Sequence, residues 1–321
     1  MRILITGGLG YIGGRVTDFL VNKGHEITVT TTRKKPILAH QFNKVNIQQI
    51  NILDKKRLLD VCNSIDYIIH LASANEIASE QNPHNALRVT TEGTLNLLEA
   101  AYERGVTKFM YFSTFHVYGV NTGKKITEEQ LPNPIHPYSI THYMAELFVN
   151  QYRYTNGFET IIIRLSNGYG APVTTDVDRW TLVVNDLCYQ AVKFGYLQLK
   201  SSGSQHRDFI PIHDVLQAVH LLMTTSYDKL GNGIFNVGSG YSISIKEMCE
   251  RINKVYNKHY GKKLPIHFAD HIRDEDKNPI KFDISKIEKL GFKSEDNYEL
   301  EILNTLKICE KKVKEESNIC K

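Results

Sequence analysis

The segment LITGGLGYIGG sets Gly7, Gly10 and Gly13 at three-residue intervals, after an apolar run and before a helical pattern. In that context glycines permit a tight turn and let backbone amides approach a pyrophosphate, so the spacing reads as a dinucleotide-binding fingerprint. A second stretch, PYSITHYMAE, sets Tyr138 and His142 four residues apart. On a helix that spacing puts both side chains on one face. A phenol and an imidazole so placed can exchange protons and donate hydrogen bonds. The plain alternatives are a strand-to-helix turn without a ligand and two rings that only pack.

Such groups need a scaffold to hold them. Short strands are suggested at RILIT, EITVT, VNIQQI, DYIIHLA, KFMYFST and TIIIRLS, with helical periodicity between them, as in NALRVTTEGTLNLLEAAYERG. The alternation predicts an α/β fold, a Rossmann-type doubly wound parallel sheet. After Ser166 the pattern loosens into loops with shorter helices and strands. That part reads as a smaller α/β substrate-binding lobe over the carboxyl ends of the sheet. The expected division is residues 1–166 for NAD(P) binding and 167–321 for substrate, with the chain free to cross between lobes. LEILNTLKICEKKVKEESNICK reads as an amphipathic helix with a frayed, charged end.

Composition narrows the class. The chain has 321 residues, 41% hydrophobic and 23% charged, with a net charge of +4. That is ordinary for a folded enzyme and too weakly basic to argue for nucleic acid. Cys62, Cys188, Cys249, Cys309 and Cys320 show no CxxC pairing, which fits a reducing compartment and implies no metal. The N-terminus reads as a polar-flanked strand rather than a signal peptide, and no apolar run nears the roughly 18 residues that span a bilayer, so a cytoplasmic protein without a membrane partner is expected.

Further motifs accompany the glycines: HLAS (70–73), EGTLNLLEAA (92–101), STFHVYG (113–119), RLSNGYG (164–170), RDFIPIHDV (207–215) and FNVGSG (235–240). Together they resemble the extended short-chain dehydrogenase/reductase family, the sugar-nucleotide epimerases, dehydratases and reductases. The resemblance implies that Tyr138 exchanges a proton with the substrate oxygen while hydride moves to or from a nicotinamide, and that Thr114 hydrogen-bonds the same oxygen. It implies that Asn167, Arg207 and Arg273 hold the diphosphate of a nucleotide-sugar substrate, a task suited to the arginine fork. Tyr11, Ile12, Ile52, Leu71, Ala72 and Ser73 join the glycines in the implied cofactor set. A homodimer is implied through helices containing residues 82–104 and 138–155.

Departures from the family pattern carry more information. In EITVTTTRKKP no Asp or Glu occurs between Glu26 and Asp54, where an NAD-selective member carries an acid for the ribose hydroxyls. Thr31, Thr32, Arg33, Lys34 and Lys35 stand there instead. A cationic, hydroxyl-rich loop suits a 2'-phosphate, so NADP is favoured and NAD is the alternative; a solvated charge run is the bland reading. Asn51 falls where an acid sits beside the adenine, and an amide can serve there. Phe115 and His116 replace the Asp-Glu pair of 4,6-dehydratases, which disfavours dehydration. His116 is either a base for a carbon beside a ketone or a wall of the sugar pocket.

The last departure is His142, in place of a family lysine that binds the nicotinamide ribose and lowers the tyrosine's pKa. The imidazole can donate to a ribose hydroxyl, and it replaces the lysine's charge only if the site raises its pKa, with Glu146 one turn on as a possible support. Three readings remain: an NADPH-dependent reductase of a 4-keto nucleotide sugar, a nucleotide-sugar 4-epimerase with retained NAD, and a non-catalytic cofactor sensor or scaffold. Surface-polysaccharide synthesis is the pathway that family habit suggests.

Overall fold

The structure, a computed structural model of the chain, describes residues 1–34, 36–38, 40–120, 123–269 and 279–319. They form two compact units. The first takes Met1–Val120, Glu128–Leu165 and Val219–Val237, and the second is built from the described parts of Asn121–Thr127, Ser166–Ala218 and Gly238–Lys321.

The first unit rests on a parallel sheet. Its strands are Arg2–Thr6 (β1), Glu26–Thr31 (β2), Asn46–Gln49 (β3), Tyr67–His70 (β4) and Lys108–Thr114 (β5), with Glu159–Leu165 and Ile234–Val237. Across the sheet the order is Ile234–Val237, Glu159–Leu165, β5, β4, β1, β2, β3, and every neighbouring pair is parallel. This is the doubly wound, Rossmann-type sheet expected. Ile3, Leu4, Ile5, Ile68 and Ile69 are fully buried, which is why these strands read as continuous apolar runs. The chain runs outward from β1 to β3 and returns on the other side at β4. The switch point therefore lies between β1 and β4, where ligands of such sheets bind at the carboxyl ends.

The helices that matter are Tyr11–Asn22 (α1), Lys55–Val61 (α2), Glu76–Gln81 (α3), Pro83–Ala86 (α4), Gly93–Glu103 (α5) and Pro137–Asn156 (α6). Helix α6 is well delimited. The His136 side chain accepts from the Tyr138 amide, Pro137 occupies the first turn, and Gly157 ends the helix at φ 70°. Its inner face carries His142, Ala145, Glu146, Val149 and Tyr152. Between α4 and α5 the backbone widens into a π-helical turn, Leu87–Glu92. There the Thr91 hydroxyl donates to the Thr141 carbonyl at 3.0 Å, fixing that turn against α6.

In the second unit the helices Val183–Phe194, Ile245–Tyr260 and Tyr298–Ile319 share a core that includes Leu187, Met248, Ile252, Ile302 and Leu306. Strand Asn167–Tyr169 pairs in parallel with Phe209–Pro211, and His206–Arg207 pairs antiparallel with Ile243–Ser244. Cys62, Cys188, Cys249 and Cys309 are buried free thiols. Burial pushes Cys62, Cys249 and Cys309 up to about 12, so they are packing residues rather than nucleophiles. Cys320 lies outside the described residues.

Candidate active site

The glycine loop joins β1 to α1. Gly7 has φ +69°, a region open to glycine, and a Cβ there would lie 3.0 Å from the Ala72 amide nitrogen. Gly10 donates to the Gly7 carbonyl at 2.8 Å and precedes α1, whose first turn has no side-chain cap. A Cβ on Gly13 would overlap the Gly7 carbonyl oxygen and lie 2.9 Å from its carbon. Glycine alone lets α1 start this close to the strand. Its amides, Tyr11 and Ile12 included, open the helix where an anion is favoured.

Beyond β2, Arg33 turns back on this loop. Its backbone amide donates to the Thr31 hydroxyl at 3.2 Å and its guanidinium donates to the Leu9 carbonyl. The positive charge thus lies against the glycine loop, beside half-buried Thr31 and exposed Thr32. Asn51 is exposed, and its side-chain oxygen accepts from the Leu53 amide at 3.0 Å. Ile52 is buried, so close to Gly93 that a Cβ there would lie 2.6 Å from its side chain. Leu71 and Ala72 are half-buried after β4, and Ser73 is exposed. A cradle that a Cβ would fill and an uncapped helix start fit the pyrophosphate of a dinucleotide.

Thr114 ends β5 and is 5% exposed. Its hydroxyl oxygen accepts from the His116 amide at 3.2 Å and lies 2.9 Å from His116 Nδ1. The His116 ring lies 4.1 Å from that of Phe115 and 6.2 Å from that of Tyr138, centroid to centroid. Tyr138, half-buried in the first turn of α6, meets the His142 ring edge-on at 4.5 Å. Four side chains expected to act together are therefore gathered in the first unit: Thr114, His116, Tyr138 and His142.

The surroundings of His142 decide whether it can replace the lysine's charge. It is 2% exposed, and its Nδ1 lies 2.8 Å from the buried Tyr111 hydroxyl. Burial pushes its pKa down to about 4, with Glu76 raising it and His116 lowering it further. The ring is neutral at pH 7. It keeps the lysine's place on the helix but does not supply the lysine's charge. Glu146 offers it no support either, because both carboxylate oxygens face Arg164. The Arg164 Nη2–Oε2 distance is 2.7 Å, Nε lies 3.2 Å from each oxygen, and the two residues are 3% and 0% exposed. Ser113 donates to the same carboxylate at 2.5 Å, and Arg164 donates to the Tyr118 hydroxyl at 3.0 Å.

A further histidine was not singled out by sequence. His70, at the end of β4, lies 2.6 Å from the Thr6 hydroxyl and 2.9 Å from that of Thr94. Burial, with His142 nearby, pushes it down to about 3, so this is a neutral strut tying β1, β4 and α5 below the glycine loop. It opens the HLAS motif, which was read for the residues after it and not for the imidazole itself.

The remaining candidates belong to the second unit. The Asn167 side chain donates to the Asp208 carbonyl at 2.9 Å, and its backbone amide donates to the same oxygen at 3.1 Å. Arg207 is half-buried and donates to the His206 carbonyl at 2.9 Å. Between these motifs, Asp208 accepts from Ser166 at 2.6 Å and from the Ser239 and Gly240 amides at 2.9 Å each. Burial raises its carboxyl to about 6 against those hydrogen bonds. Asp208 thereby ties together three of the sequence motifs. Arg273 lies outside the described residues.

A model of the NAD dependent epimerase/dehydratase family matches residues 3–238. The chain belongs to this family. Among curated relatives it is 28% identical over 300 residues to a putative UDP-glucose 4-epimerase of Methanocaldococcus jannaschii, covering 91% of this chain and 93% of that one. It is 25% identical over 325 residues to the dTDP-D-glucose 4,6-dehydratase of Mus musculus, covering 95% of this chain and 87% of the relative. Among solved structures, the UDP-glucose 4-epimerase of Thermotoga maritima superposes with a TM-score of 0.83 at 25% identity, covering 97% of this chain and 99% of that one. The chain is thus an enzyme of an NAD(P)-dependent family that includes nucleotide-sugar epimerases and dehydratases. No helix among the described residues is long and apolar enough to cross a membrane.

Proposed function

We propose that this enzyme reduces a 4-keto nucleotide sugar with NADPH, using Tyr138 as the proton donor. The observation that carries the reading is the burial of His142, 2% exposed, which lowers its pKa and keeps the ring neutral. Epimerases and dehydratases begin by oxidising the sugar, a step in which the tyrosine must accept a proton as phenolate. A neutral imidazole supplies no charge to stabilise a phenolate, so the site favours the hydroxyl form that a reduction uses. Arg33 against the glycine loop, with no acid at the end of β2, supports a 2'-phosphate and hence NADP rather than NAD. Phe115 offers neither acid nor base, which argues against dehydration.

Held at the glycine loop, a reduced nicotinamide would supply the hydride for the sugar's carbonyl carbon. Thr114 and Tyr138 hold the carbonyl oxygen, and Tyr138 passes its phenolic proton to that oxygen as the alcohol forms. Solvent then reprotonates the tyrosine. Gly7, Gly10, Tyr11, Ile12 and Gly13 would hold the pyrophosphate, with Thr31, Thr32 and Arg33 at the adenosine ribose and Asn51 and Ile52 at the adenine. Leu71, Ala72 and Ser73 complete that set. In the second unit, the nucleotide-sugar-binding lobe of this reading, Asn167, Arg207 and Arg273 would hold the substrate diphosphate. The polypeptide is read as a cytoplasmic homodimer that works in nucleotide-sugar metabolism for surface polysaccharide. Helix α6 supports the dimer, since Ile140, Met144 and Leu147 stand exposed at helical spacing.

A second reading, a 4-epimerase with retained NAD, is favoured by the near full-length epimerase relatives. Mass spectrometry of ligands released from purified protein separates the two. Exchangeable NADP(H), with oxidation of added NADPH on supply of a 4-keto nucleotide sugar, is the expected result. Retained NAD(H), with conversion of UDP-glucose at carbon 4 and no net cofactor oxidation, supports the epimerase instead. No turnover of any sugar nucleotide leaves the sensor or scaffold.

A further inference from the structure

We propose that Tyr111 is a positioning residue that holds His142 in the Nε2–H tautomer, so that α6 presents one buried N–H donor to an oxygen acceptor of a bound dinucleotide. The ligand half of this rests on the reading of the glycine loop as a dinucleotide site.

The reasoning starts from two polar groups shut away from water. Tyr111 and His142 are 1% and 2% exposed. The tyrosine hydroxyl lies 2.8 Å from His142 Nδ1, and among the described residues His142 Nε2 has no hydrogen-bond partner. A neutral imidazole carries one proton, so two arrangements exist. If Nδ1 carries it and donates to Tyr111, the phenolic proton has no described acceptor and the Nε2 lone pair is empty-handed as well. If Nε2 carries it, Tyr111 donates to Nδ1 and a single group, Nε2–H, is left over. Buried polar groups without partners are destabilising, so the arrangement with one orphan prevails.

The orphan is an N–H on the helix face that carries Tyr138, whose ring meets His142 edge-on at 4.5 Å. Few buried donors go unpaired in native proteins, and one beside a ligand site marks where an acceptor arrives. Helix α6 cannot readily shift to hide it. Thr91 of the π-helical turn holds the Thr141 carbonyl, and the Glu146–Arg164 pair holds the next turn. The tyrosine on β5 and the histidine on α6 thus act as a pair that supplies the lysine's hydrogen bond without its charge.

The test reads the tautomer directly. Long-range proton–nitrogen NMR on the full chain with labelled histidine, assigned through His142→Gln, distinguishes a bare from a protonated ring nitrogen. Bare Nδ1 and protonated Nε2 are expected in the unliganded protein, with a mixture of tautomers in Tyr111→Phe. NADPH affinity should fall in Tyr111→Phe in proportion to the loss of the Nε2–H tautomer, about twofold for an even mixture. His142→Gln, whose amide can donate from near the ε position, should restore most of it in that background. A protonated Nδ1 in the unmodified protein overturns the proposal. So does a Tyr111→Phe variant with unchanged tautomer and affinity. A protein with the expected tautomer that binds neither NADPH nor NADH overturns the ligand half together with the functional reading.

Discussion

Replacing Glu146 with Gln should destabilise the first unit by about 3 kcal/mol, at the lower end of what breaking a buried ion pair costs. Arg164 is 3% exposed and would keep its charge, with the Tyr118 hydroxyl and one amide oxygen in place of a carboxylate. The amide oxygen still accepts one hydrogen bond, which is why the lower end applies. For 321 residues unfolding together, an entropy near 2.1 cal/mol/K per residue turns this loss into a fall in Tm of about 4 °C. Calorimetry and urea unfolding measure it. The double variant Glu146→Leu with Arg164→Met removes both buried charges, and should lie within about 2 kcal/mol of the unmodified protein. Its loss should therefore be smaller than the sum of the single losses. A Glu146→Gln protein as stable as the parent would refute the reasoning, as would a double variant whose loss equals that sum.

Three further outcomes are expected. Gly13→Ala, whose methyl overlaps the Gly7 carbonyl, should force α1 off the loop and weaken dinucleotide binding about tenfold or more in titration calorimetry, an overpacking cost of about 1–3 kcal/mol. Arg33→Ala should lower NADPH affinity by about tenfold or more, the worth of a charge-assisted hydrogen bond, and leave NADH affinity within about twofold; equal losses would remove the case for NADP. His142 has a folded pKa of about 4, below its ordinary 6.5, so its contribution to stability is complete above pH 6.5 and is lost as pH falls toward 4. His70 acts with the same sign down to about 3, while Asp208, raised to about 6, acts with the opposite sign between its ordinary 3.8 and 6. Between pH 7 and pH 4.5 the unmodified protein should therefore lose about 2–3 kcal/mol more than His142→Gln in urea unfolding.

The six runs read from sequence are six of the seven strands of the parallel sheet, whose central strands, buried on both faces, write themselves as apolar runs. Ile234–Val237 escaped because four residues between Gly233 and Gly238 carry no period. The pairing of Tyr138 with His142 was legible from their spacing on one helix, and the gathering of Thr114 and His116 with them from the family resemblance of their motifs. The charge of His142 was not. It depends on how deeply the sheet buries α6, and on Glu76 and His116, which lie far from it in sequence. Glu146 likewise reads as a helix-face neighbour of His142, and only the register of Glu159–Leu165 shows that Arg164 takes it. Asp208 was hidden inside a motif read for its arginine.

The most direct test of the central claim follows the hydride. Purified enzyme is given a 4-keto nucleotide sugar and NADPH deuterated at the transferable position, and the product sugar is analysed by mass spectrometry and NMR. The account predicts one deuterium at carbon 4 per NADP released, with Tyr138→Phe still binding NADPH but forming almost no product. Turnover of a nucleotide sugar at carbon 4 with no deuterium taken from added NADPH would contradict it.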